Sequence, residues 1–168
     1  MITTAMTAIA VAMALTRCAA PTLDPAAIRG DSTFPRSQTF FVREFEEGND
    51  WLSANGQPAG RPEILAHLNS LTTKIRDRLE RLGPTRVLMT SIPKEGLLIT
   101  GQIIRVREGP NPAVEGRVLI YDLARSYHYP VTIFDFQPSE QARARTLDEF
   151  WDLVARTTAE FVRERMRP

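Results

Sequence analysis

With 168 residues, 43% hydrophobic and 24% charged, the chain has ordinary globular composition and fits one domain with one core. Its net charge is +1, and without residues 1 to 18, which hold Arg17 and no acid, 20 basic residues face 20 acidic ones. Arginine makes up nearly all of the basic set, with acids interspersed, so no basic face is advertised and nucleic acid is not an expected partner.

The first 15 residues, MITTAMTAIAVAMAL, carry no charge, and Ala5 to Leu15 is apolar apart from Thr7. At about 1.5 Å per residue this run spans only about half of a hydrocarbon core of roughly 30 Å, so it reads as a secretory h-region rather than a membrane-spanning helix. The sequence LTRC follows, then the small-residue, proline-containing stretch AAPTLDPAA. This arrangement resembles the signal peptide of bacterial lipoproteins, in which a cysteine after a Leu-x-small tripeptide is acylated and becomes the mature amino terminus. Leu15, Thr16 and Cys18 fit that pattern; Arg17 stands where the family has Gly, Ala or Ser, and no positively charged n-region precedes. Ordinary cleavage after Ala20, with Pro21 following the cut, is the alternative. On the lipoprotein reading residues 1–18 are a signal peptide and Cys18 is the lipidation site. Ala19, rather than Asp, after the cysteine resembles the outer-membrane sorting signal, which implies an exported protein anchored to the outer membrane and facing the periplasm.

Cys18 is the only cysteine, so the fold cannot depend on an internal disulfide and must rest on its core. Residues 19–37, with Pro21, Pro25 and Pro35 and few large apolar side chains, read as a flexible tether. A single globular α/β domain is expected over 38–168. It opens with QTFFVREFEE, where Phe40 and Val42 alternate with Phe41, Arg43 and Phe45 as in a strand. GNDWLSANGQPAG, residues 48 to 60, reads as a loop, and Trp51 and Leu52 within it are candidate partner contacts.

From Pro62 to Leu82 the chain reads as a helix. Pro62 suits its first turn, Gly83 and Pro84 stop it, and Ile64, Leu68, Leu71, Ile75, Leu79 and Leu82 draw one apolar stripe. Asp77 with Arg81, and Arg76 with Glu80, have the spacing of intrahelical ion pairs. Four β-like stretches follow: TRVLMTSI, GLLITGQIIRVRE, GRVLIYDLA and YHYPVTIFDF. The second of these is apolar on both faces and belongs inside a sheet, whereas Pro130 confines the last to an edge or to a start beyond it. A second amphipathic helix closes the chain, with Thr146 and Glu149 placed as a capping box. The fold class is therefore α/β, α+β-like: a two-layer sandwich of a mixed sheet of about five strands with two long helices.

Leu98, Gly101, Ile103, Gly109 and Asp122, within roughly residues 38 to 136, match a Leu-x-x-Gly-x-Ile strand, a glycine and a strand ending near an aspartate. This pattern resembles bacterial envelope lipoprotein domains of unknown function, distantly similar to the amino-terminal domain of TolB. PNPAVEGR replaces the Gly-rich stretch of that family. The resemblance implies an accessory envelope protein and supplies no catalytic residues.

Catalytic chemistry has few candidates. Ser91-Ile92-Pro93-Lys94 has the S-x-x-K spacing of serine acyl-transfer enzymes, but Pro93 and Gly96 put it in a turn, and S-D-N and K-T-G partners are missing. His67 and His128 lack neighbouring His or Cys at metal-ligand spacing, so no metal or cofactor is expected. Glu44, Glu46, Glu47 and Asp50 read as a solvated strand end. The expectation is a non-enzymatic, lipid-anchored envelope protein whose partners are the membrane and an envelope protein. The alternative is a small periplasmic hydrolase using Ser91 or a histidine.

Overall fold

A computed structural model describes residues 24–30, 34, 39–82, 86–88, 92–109, 112–126, 128–137 and 146–166. Residues 1–18, expected as a signal peptide ending at Cys18, and Ser91 lie outside the described residues.

Alternation of apolar residues in the middle of the chain does what its period dictates. Strand β5 (Leu97–Arg107) turns Leu97, Ile99 and Ile103 to one face, and β6 (Ala113–Asp122) turns Val114, Val118 and Ile120 to the same face. These two strands form a long antiparallel pair, and β7 (Thr132–Gln137) adds antiparallel to β6. Because β7 starts beyond Pro130, the proline costs the ladder no hydrogen bond, and the strand can be paired on both edges. On the other side of β5 lie β2 (Thr39–Val42) and β3 (Glu46–Leu52), both parallel to it, so that residues 39 to 52 form one strand broken at Arg43–Phe45. The short β4 (Arg86–Leu88) pairs parallel with β2. Among the described residues the strands join in one mixed sheet that starts with β1 (Asp24–Gly30) at one edge and runs β1-β7-β6-β5-β2-β4, with β3 continuing the β2 side of β5.

Two strands were not expected. The first, β1 (Asp24–Gly30), pairs antiparallel with β7 and so corrects the flexible tether expected over residues 19–37. DPAAIRG has poor strand propensity, but the free edge of β7 supplies a backbone template that does not depend on side chains. Phe34 is likewise folded: it is fully buried, donates its N–H to Arg165 O, and packs against Phe161. The second, β3, occupies the start of the expected loop. EEGNDWL reads as turn sequence, yet Asp50 pairs with Arg105 of β5 at 2.7 Å and Trp51 turns inward, so tertiary contacts override local preference. Gly48 sits where β3 bulges, and a Cβ there would meet Ile103 O at 2.5 Å.

The helices α1 (Arg61–Glu80) and α2 (Leu147–Arg165) pack side by side on one sheet face. The apolar stripe of α1 buries Leu68, Leu71, Ile75 and Leu79; α2 buries Phe150, Trp151, Val154, Phe161 and Val162. Fully burying such a side chain contributes about 1.5–3 kcal/mol, and these residues with the inward strand positions form one core cluster. Thr146 Oγ1 accepts from Glu149 N–H, so the threonine half of the predicted capping box starts α2. The intrahelical pairs expected on α1 do not form: Arg76 turns away from Glu80 and donates to Val42 O of β2. On the sheet's opposite face Phe41, Leu98 and Leu123 make a smaller cluster.

The residues behind the family-like pattern have structural duties. Gly101 leaves room for Phe45, whose ring would stand 2.4 Å from a Cβ at that position. Asp122 is buried at the end of β6 and accepts Ala124 N–H at 3.1 Å, shaping the turn that follows.

Candidate functional site

His67, on α1 one turn after Glu63, comes together with groups from three other elements. Its Nδ1 accepts the indole N–H of Trp151 of α2 at 3.1 Å, and its Nε2 lies 2.9 Å from Glu108 Oε1, just past β5. Trp51 of β3 completes an aromatic group: its ring centroid is 6.2 Å from His67 and 6.4 Å from Trp151. Both tryptophans are buried, and His67 and Glu108 are about one-quarter and one-fifth exposed. Glu63 adjoins them, and its carboxylate accepts Gly60 N–H at the start of α1.

These bonds fix the protons. An indole N–H only donates, so Nδ1 must be the unprotonated nitrogen, and Nε2 then carries the hydrogen and donates it to Glu108. Both ring nitrogens are committed, and the neutral imidazole has no free lone pair with which to accept a substrate proton. The same reasoning bears on metal binding. Glu63, His67 and Glu108 offer three ligand atoms within 4.8 Å of one another. A cation on Nε2 would need the hydrogen moved to Nδ1, directly against the Trp151 N–H. The arrangement therefore holds a proton between α1 and the end of β5 and a hydrogen bond between the two helices. One polar atom at this centre is left over, the buried indole N–H of Trp51, which has no acceptor among the described residues.

Trp51 thus corrects an expectation. It is 5% exposed and belongs to the core, because β3 turns it beneath α1, so its side chain is not an outward partner contact. Leu52 is half-buried beside it. His128 lies far from His67 in sequence, in an exposed turn held by Ser126 Oγ, and no contact joins the two histidines. The meeting of His67, Trp51, Trp151 and Glu108 was not anticipated; the helical spacing that put His67 at the border of the apolar stripe was its only sequence signal.

A second polar feature lies further along α1. Asn69, Thr72, Thr73 and Arg76 face Phe41–Glu44, the break between β2 and β3, across a cleft of about 280 Å³.

The fold is similar to that of PelC. Two structures of the PelC dodecamer from Paraburkholderia phytofirmans, one of them a single-residue variant, superpose with TM-scores of 0.55 for the variant and 0.53. Each is 12% identical, and the match covers 84% of this chain and 97% of PelC. Neither a protein-family model nor a curated protein sequence matches the chain. At this identity the likeness to PelC extends to the fold alone.

Proposed function

We propose that the chain is a non-enzymatic, lipid-anchored protein of a bacterial cell envelope with a binding or accessory role. The observation that carries this reading is the place of Cys18. The lone thiol closes an apolar run, and the sheet begins soon after it, at Asp24. An acylated Cys18 would join the domain to a bilayer through a leash of at most about 20 Å, where a spacer reaching residue 38 would allow about 70 Å. The domain would then work at the membrane surface. His67 supports the non-enzymatic part, because both of its nitrogens are committed within the protein. PelC, similar in fold, is a dodecamer, which makes a second copy of this chain the first protein partner to look for.

The intact mass of the membrane-extracted protein tests the anchor. A mature chain starting at an acylated Cys18 is expected, and Cys18→Ser should move the protein from the membrane to the soluble envelope fraction. A chain that starts at Pro21, or one that keeps Met1, would overturn the reading. Crosslinking in intact cells should capture a stoichiometric partner, either another envelope component or a second copy. Turnover of ester, amide or peptidoglycan substrates that disappears in Ser91→Ala or His128→Ala would replace it with a hydrolase.

A further inference from the structure

We infer that the cleft between α1 and the β2–β3 break binds a small oxyanion-bearing ligand, through Arg43 and Arg76. Several arginines along this sheet and helix pair have a carboxylate: Arg61 with Glu47 at 3.2 Å, Arg78 with Asp152 at 2.8 Å, Arg105 with Asp50 at 2.7 Å and Arg117 with Asp135 at 3.4 Å. Among the described residues Arg43 and Arg76 have none, as is true of exposed Arg107, but these two line one cleft. Arg76 reaches over from α1 and is held by Val42 O at 2.9 Å, its Nε is buried without an acceptor, and it forms no ion pair among the described residues. Arg43 projects from the facing strand break, exposed and also without an ion pair among the described residues.

Burying part of a guanidinium without a counter-ion costs free energy, and a carboxylate or phosphate entering the cleft would remove that cost. The anchor to Val42 O also pre-orients Arg76, so little side-chain freedom is lost on binding. Glu44 shares the lining but pairs with neither arginine, which leaves the cleft with one positive charge in excess and suits an anion. Asn69 and Thr73 supply an amide and a hydroxyl, matched to a hydroxylated body on the anion. The cleft of about 280 Å³ has room for such a body as well as the charged group. This site does not depend on the lipid anchor, since none of its residues lies near Cys18 in sequence.

The test is calorimetric titration of the full chain in phosphate-free buffer with gluconate, glycerol 3-phosphate and glucose. Binding of either anion at one site, weakened at least about tenfold in Arg43→Gln and in Arg76→Gln, is expected. Arg107→Gln, an exposed arginine at the far end of β5, should bind as the parent does. Gluconate alone would specify a carboxylate and glycerol 3-phosphate alone a phosphate; either supports the site. Glucose binding as tightly as the anions, no binding of either anion up to about 10 mM, or equal binding by Arg43→Gln would overturn it. Arg43 makes no structural bond through its side chain, so this last variant remains decisive even if Arg76→Gln fails to fold.

Discussion

His67 and Arg76 stand on the same helix, each reaching across to a strand, and they end in opposite electrostatic conditions. Around His67 both ring nitrogens are answered: the Trp151 N–H goes to Nδ1, and the Nε2 hydrogen goes to Glu108, with only the neighbouring Trp51 N–H left without an acceptor among the described residues. Around Arg76 one nitrogen is held by Val42 O and the rest of the charge has no counterpart among the described residues. A closed polar network adds rigidity and has nothing to offer a ligand, while an open one lowers stability and can be completed from outside. His67 thus holds the fold, and Arg76, between the buried Leu71, Ile75 and Leu79 of the same helix, is the group left open to a ligand. Conspicuous residue types are a poor guide to which is which.

The comparison breaks most severely at Trp151. Trp151→Ala should lower unfolding free energy by about 3–5 kcal/mol in urea titration, since the side chain is fully buried. His67→Leu should cost about 1–3 kcal/mol, because it keeps the bulk but leaves the Trp151 N–H buried without an acceptor. If Trp151→Phe and His67→Leu are each neutral, the hydrogen bond is not what joins the helices.

A smaller effect separates the ion pair between the helices from the histidine bond. The hydrogen bond from Arg78 holds the Asp152 carboxyl below its usual range, against a desolvation effect in the other direction. A lowered carboxyl pKa stabilises the fold above the unfolded value and loses that contribution as pH falls through the folded one. Asp152→Asn should therefore cost under about 1 kcal/mol near pH 7, the carboxylate being partly in solvent, and the difference from the parent should vanish as acid protonates the folded-state carboxylate. A gap that persists there would assign the loss to packing. Arg43→Gln should change stability least, within about 0.5 kcal/mol by thermal melting, even as it removes anion binding.

Much of this architecture was legible wherever periodicity and function coincide on one element. The stripe on α1, the cap on α2 and the two-faced apolar run of β5 each point to the place they take. What was not legible depends on partners distant in sequence. DPAAIRG becomes a strand only because β7 offers an edge, and EEGNDWL only because β5 runs alongside. Trp51, in a Gly- and Asn-rich stretch, looked like loop, and nothing local shows that His67 and Trp151 close over it. The cleft was illegible for the same reason: Arg76 has a helical neighbour at ion-pair spacing, and only the fold shows that it prefers a backbone carbonyl across the sheet.

The pairing of β1 with β7 also sets an order in time. Asp24 finds its place opposite Gln137, so the strand made first must wait for one made nearly last. Until then Asp24–Gly30 has no ladder to join. Once β7 arrives, the same segment becomes the rim of a finished sheet, and a strand from the start of the chain is sewn to one made more than a hundred residues later.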